Sequence, residues 1–106
     1  MEIVVPPSTL ILHLKRFTFE ETTNTTKKLH VPISCPPVLY LQNETKYQLN
    51  AVINHIGETT SSGHYNILLV DRHNSRYILV DDLEIKNNPV LDYMDRMSYV
   101  IVYTRQ

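Results

Sequence analysis

Residue types able to do acid–base or nucleophilic chemistry stand at a few places in this 106-residue chain: His64 directly after Gly63, the acidic pair Asp81-Asp82, a second imidazole at His55, and the lone thiol Cys35. A histidine beside a carboxylate is half of a nucleophilic triad: the ring takes a proton from a thiol or hydroxyl, while the carboxylate fixes its tautomer and stabilises the imidazolium. His64 is the better candidate base, because a preceding glycine lets backbone approach a substrate closely. The plain alternative is a structural histidine capping a strand. His55 shares the parity of Leu49, Ala51 and Ile53, which suits a half-buried histidine hydrogen-bonded to its neighbours. A zinc site of His55, His64 and Asp81 is chemically conceivable, but no spacing demands it, and neither metal nor cofactor is expected.

The missing partner is the nucleophile. Cys35 lies in Ile33-Ser34-Cys35-Pro36-Pro37, where the prolines stop a helix from starting at or just after it, so no N-terminal amides lower its pKa or form an oxyanion hole. A small apolar filler in an extended segment is the expected role. Ser61 and Ser62 precede His64 too closely to be activated by its ring and are expected to loosen that loop. Lys15-Arg16 reads as solvent-facing charge able to meet an acidic partner, and Tyr65, Tyr77, Tyr99 and Tyr103 as sheet-packing aromatics.

Positioning these groups requires a sheet. Ten Val, nine Ile and ten Thr stand against a single Ala, and β-branched residues lose rotamer freedom in helices but pack well on a pleated surface. Five runs emerge. Residues 9–19 form the first, followed by a loop or mobile hairpin tip over 20–28. Residues 29–40 carry Pro32, Pro36 and Pro37 and read as an extended edge or connection. Residues 47–56, with Tyr47, Leu49, Ala51 and Ile53 on one face, 64–70 and 76–80 are joined by short connections and form an antiparallel meander. Pairing across the first connection sets His64 near Ile56 and His55 near Tyr65; pairing across the second sets His64 opposite Asp81 to Leu83. His55, His64 and Asp81-Asp82 therefore gather at one end of one sheet. Residues 97–105 form the last strand, with Val100 and Val102 on one face and Tyr99, Ile101 and Tyr103 on the other, and 86–96 has room for one helical turn.

Composition narrows the function classes. A formal charge of −1 with 42% apolar residues offers no basic field for nucleic acid or an anionic membrane, and no apolar run reaches the roughly 20 residues of a membrane span. One cysteine and no secretory signal pattern lead to the expectation of an intracellular, cytoplasmic or nuclear, protein.

Several segments, in order, are similar to one family. Pro7-Ser8-Thr9-Leu10-Ile11-Leu12-His13-Leu14-Lys15-Arg16-Phe17 resembles the P-x-x-L-I-L-H-L-K-R-F strand of the ubiquitin-specific proteases. Lys28-Leu29 with Val31-Pro32 resembles that family's next short strand, where Val31 replaces the usual Phe. Tyr47-Gln48-Leu49-Asn50-Ala51-Val52-Ile53-Asn54-His55-Ile56-Gly57 and Ser62-Gly63-His64-Tyr65 resemble its histidine box; Tyr77-Ile78-Leu79-Val80-Asp81-Asp82 and Ser98-Tyr99-Val100-Ile101-Val102-Tyr103 resemble its closing strands.

The resemblance implies His64 as catalytic base, Asp81 as orienting carboxylate, Asp82 as an adjacent supporting acid, and His55, Gly63 and Tyr65 as residues beside the substrate tail. It implies thiol-dependent, papain-like cleavage after the C-terminal Gly-Gly of ubiquitin, and a mobile loop over 58–63 that closes on that tail. Departures matter too. The family's Cys box, helical thumb and Cys-x-x-Cys zinc ligands have no match, and the Trp before the Asp pair is missing, with Tyr77 the nearest aromatic. The expected fold is therefore mainly β, an antiparallel sheet corresponding to palm and fingers of a papain-like α+β protease without its thumb, with 1–106 forming the C-terminal portion of a catalytic domain. The expected partners are ubiquitin or ubiquitinated proteins and a Cys-box-bearing half. Two functions compete: a deubiquitinase component active only with that half, and an inactive ubiquitin-interaction module. Either way, one apolar sheet face and the edge of the last strand are expected to lie open.

Overall fold

A computed structural model describes residues 7–41, 44–57, 63–89 and 96–106. Nine strands appear: β1 (Thr9–His13), β2 (Phe17–Glu20), β3 (Thr25–Lys28), β4 (Val38–Tyr40), β5 (Lys46–Ile56), β6 (His64–Asp71), β7 (Arg76–Asp81), β8 (Glu84–Asn87) and β9 (Ser98–Arg105). Every pairing is antiparallel, and no α-helix occurs among the described residues. The main sheet runs β1-β9-β5-β6-β7-β8, with β4 on the first residues of β5; β2 and β3 form a separate hairpin. The mainly β reading holds.

Several expectations change. The first run divides in two, because Arg16 N–H closes a tight turn on Leu14 C=O and the Arg16 side chain turns inward. Residues 20–28 are partly strand: β3 pairs with β2 around a turn in which Asn24 takes a left-handed φ of 53°, which asparagine tolerates. In β5 a register shift between Leu49 and Ala51 breaks the simple alternation. A bulge flips the later residues, so Tyr47, Leu49 and Val52 enter the core while Ala51 and Ile53 face the other way. Finally, β9 is no edge, being paired with β1 on one side and β5 on the other. Of residues 86–96, where one helical turn is allowed for, 86–87 belong to β8, 90–95 lie outside the described residues, and Arg96 is in a 3₁₀ turn.

The core forms on one face of the sheet. A row of Leu12, Ile101, Val52, Leu68 and Leu79 crosses five strands by register, and Cys35, Leu39 and Leu41 pack over this face. The opposite face carries two further apolar rows, Ile11-Val102-Ala51-Leu69-Ile78 and Val100-Ile53-Ile67-Val80-Ile85. Ile11, Leu69 and Ile85 there are exposed, as expected of an open apolar face. The molecule is accordingly a slab of 45 × 38 × 20 Å with a radius of gyration of 15.4 Å, against about 13 Å for a compact domain of 100 residues.

Candidate active site

The β5–β6 hairpin pairs Ile56 with His64 and His55 with Tyr65, as expected. The β6–β7 ladder pairs Ile67 with Val80, and one step further along that register Asn66 lies beside Asp81. His64, Asn66 and Leu68 alternate onto the core face, as do Asp81 and Leu79. This brings the His64 Nε2 and Asp81 Oδ1 atoms into a hydrogen-bonded ion pair, with Asp82 Oδ2 at 4.0 Å from the same nitrogen. Asp82 reaches this place from a tight β7–β8 turn in which its φ is 52°. His64 is 44% exposed and Asp81 32%, so the pair sits at the surface margin of the sheet.

The electrostatics follow from that contact. Hydrogen bonding to Asp81, and then its charge, raise the His64 pKa above the ordinary 6.5, against a smaller opposing desolvation. Reciprocally, the hydrogen bond from His64 holds the Asp81 carboxyl below its ordinary 3.8, with a further side-chain hydrogen bond from Asn66 acting in the same direction. Nε2 is committed to Asp81, which leaves Nδ1 as the ring nitrogen able to take a proton from an incoming group.

The other site residues divide by face. His55 shares the sheet end but points to the opposite face from His64, since the two are separated by one step of alternation across the pair Ile56–His64. Its ring is fully buried, not half-buried, among Phe17, Tyr65 and Tyr99, with centroids at 5.3, 4.9 and 5.9 Å. The zinc set of His55, His64 and Asp81 is therefore not assembled. The three potential ligands grouped among the described residues are His64, Asp81 and Asp82; two of them already form the ion pair. Gly63 is exposed, and a Cβ there would lie 2.1 Å from His55 Nε2. Only a glycine lets the chain cross the buried ring at this point. Tyr65 is exposed while its ring packs against His55. Ser61, Ser62 and most of the expected loop over 58–63 lie outside the described residues.

Four residues without a site role in the sequence shape this end. Asn54 and Asn66 are opposite each other in the β5–β6 register, are 1% and 8% exposed, and share a 2.9 Å hydrogen bond from Asn54 Nδ2 to Asn66 Oδ1. Their signal is an amide at an inward position of an apolar strand, which must find partners. Arg16, read as solvent-facing, is only 2% exposed and donates to the Ser98 C=O and Oγ and to the carbonyls of Leu29 and Val31. Lys28, read as part of a loop, is buried and donates to the His55 carbonyl at 2.7 Å. These two cations tie the β2–β3 hairpin to the strands that carry the site.

Cys35 is elsewhere. It packs on the core beside Tyr103, whose hydroxyl donates to the Pro36 carbonyl and is pushed up to about 12 chiefly by burial. Tyr103 pairs with Leu49, seven residues along β5 from the partner of His64, or roughly 20 Å at strand rise. That thiol and His64 do not meet. Among the described residues, His64 and Asp81 form an imidazole–carboxylate pair with no thiol beside it.

A family model described as ubiquitin carboxyl-terminal hydrolase matches residues 1–103. The probable ubiquitin carboxyl-terminal hydrolase 3 of Schizosaccharomyces pombe is 32% identical, over 94% of this chain and 25% of its own length. Ubiquitin hydrolase B of Dictyostelium discoideum is 34% identical, over 92% and 22% respectively. Among solved structures, the yeast SAGA DUBm superposes with a TM-score of 0.79 at 24% identity, over 94% of this chain and 24% of that one. The SAGA Ubp8 DUB module bound to ubiquitin aldehyde does so with a TM-score of 0.81 at 22% identity, over 94% and 25%. At such identities the structural likeness is one of fold. The chain spans about a quarter of the length of the curated relatives it matches.

Proposed function

The chain belongs to the ubiquitin carboxyl-terminal hydrolase family, and from that premise we propose that these residues supply the base and carboxylate of a thiol-dependent deubiquitinating site. The nucleophilic thiol comes from outside this stretch of 106 residues. The observation that carries the reading is the hydrogen-bonded pair of His64 and Asp81 with Nδ1 left for proton transfer.

His64 takes the proton of the thiol, and the thiolate attacks the carbonyl carbon of ubiquitin's terminal glycine. The imidazolium, stabilised by Asp81 and by the nearby charge of Asp82, then protonates the departing amine, leaving an acyl-enzyme. In the second half His64 takes a proton from water, the hydroxide displaces the thiolate, and the free ubiquitin carboxylate leaves. Gly63 and Tyr65 flank the tail, and His55 enters from beneath Gly63 as the ring on which that backbone rests. Ubiquitin or a ubiquitin conjugate is the partner, and the setting is cytoplasmic or nuclear.

The position of Cys35 favours one competing reading, a ubiquitin-interaction module that does not turn over. The two separate when this chain is combined with a separately expressed Cys-box half from a relative and assayed on a ubiquitin amide. Cleavage that drops by several orders of magnitude in His64→Ala supports the proposal. A well-folded pair that does not cleave sinks it in favour of the binding module, and labelling of Cys35 by a ubiquitin probe with a C-terminal thiol trap overturns the structural role of that thiol.

A further inference from the structure

A row of polar side chains lies behind the His64–Asp81 pair across three strands. Asn54 on β5 donates through Nδ2 to Asn66 Oδ1 on β6 at 2.9 Å, and one step along the β6–β7 register from Ile67–Val80 the Asn66 amide stands beside Asp81 on the same face, where it helps hold that carboxyl low. Asn66 Oδ1 is already engaged by a donor, and an ionised carboxylate can only accept, so the Asn66 end that faces Asp81 is the NH₂ group. Asp81 in turn accepts from His64. The donors of the row therefore face the carboxylate. Asn54 Oδ1 has no donor among the described residues, so the row starts there and does not branch to another acid.

Both asparagines lie in the row of side chains next to Val52, Leu68 and Leu79 on the core face. Amides buried there cost free energy unless bonded, and bonded ones are held in a single rotamer. Asp81 needs such a fixture. It ends its strand beside a turn with a left-handed residue, at the open margin of the sheet, where an unsupported carboxylate rotates freely. The other charged groups facing the pair are Asp82, in that turn, and Lys86, from β8; neither is buried enough to lock a rotamer.

We propose that Asn66, itself held by Asn54, is a positioning residue for this site: it donates to Asp81 and fixes the carboxylate in the orientation that accepts from His64 Nε2. The proposal rests on His64 and Asp81 being base and carboxylate for its catalytic consequence, but its structural content stands in this chain alone.

Valine and threonine at position 66 provide the test, since both suit a strand and differ by a hydroxyl that can donate to Asp81 and accept from Asn54. In the 106-residue chain, carboxyl and side-chain amide NMR are followed through an acid titration. The Asn66 NH₂ resonances of the unsubstituted chain are expected to move at the Asp81 midpoint. That midpoint is expected to rise in Asn66→Val and return in Asn66→Thr. In the two-part enzyme, Asn66→Val is expected to lower kcat about tenfold at unchanged KM, the scale of a lost hydrogen bond to a charge, with recovery in Asn66→Thr. An Asp81 midpoint unmoved in a folded Asn66→Val chain, or Asn66 amides that ignore the Asp81 titration, overturns the inference. So does an unchanged kcat in an active pair. If the unsubstituted pair does not cleave but the Asp81 shift appears, the positioning contact stands and the catalytic reading fails.

Discussion

His64 and Asp81 hold each other's charge, and the sign of that coupling sets a pH window. His64 is raised, so its part of the stabilisation is complete below the ordinary histidine pKa of 6.5 and is lost as pH climbs through its own higher value. Asp81 is lowered, so its part is complete above the ordinary 3.8 and is lost as pH falls through its own lower value. The pair is thus strongest in mildly acidic solution, between those two ordinary values. Asp81→Asn removes both the stronger acceptor and the charge, and histidine NMR is expected to show the His64 midpoint falling back toward 6.5; a midpoint that stays put would show that the contact is not populated. The thiol tells the opposite story. Cys35 packs on the core and far from His64, so native-state labelling by a disulfide reagent is expected to be slow, rising to the rate of a free thiol only on unfolding. The meeting of His64 with Asp81 and the separation of Cys35 from both were legible in the sequence, because short connections and flanking prolines fix those positions locally. Asn54 and Asn66 were not, since their meaning depends on which strands lie side by side.

Strand pairing decides what each element can tolerate. The turn into β6 crosses the buried His55 ring so closely that a Cβ at residue 63 would lie 2.1 Å from Nε2, and that ring is hemmed in by Phe17, Tyr65 and Tyr99. Gly63→Ala is expected to cost about 1–3 kcal/mol, as overpacking does, read as a lower denaturant midpoint at constant slope, and to disturb the His64 ring resonances. The β2–β3 hairpin depends on buried cations. Arg16→Met strips the donor from the carbonyls of Ser98, Leu29 and Val31, a loss of about 3 kcal/mol. Arg16→Lys should recover little, because one ammonium cannot reproduce the planar fork; equal stability of Arg16→Lys and the unsubstituted chain in urea melts would contradict this account. The alternation of apolar residues placed β5, β6, β7 and β9 correctly. It misassigned the face of Ala51 and Ile53, since a bulge depends on the partner strand, and it left Arg16 in solvent, since nothing local marks a cation that donates to Ser98, 82 residues away.

At the scale of the whole molecule, one sheet has to serve as both core and scaffold. The rows through Leu69 and Ile67 give it a second apolar face on which Ile11, Leu69 and Ile85 are exposed, and contiguous exposed apolar surface favours association. Concentration-dependent self-association is expected in a sizing column, reduced when Ile67→Lys charges that face; a sharp monomeric profile at high concentration would argue that the face is covered. The strand composition, the His55–Tyr65 and Ile56–His64 pairings and the end of the sheet where His64 meets Asp81 all follow from the sequence by itself, because β-branching, two-residue alternation and short connections are local properties. Tertiary structure alone decided that Arg16 and Lys28 go inward and that β9 is covered on both sides. Those outcomes depend on register and bulges between strands far apart in the chain, where one residue of slip carries a side chain to the other face.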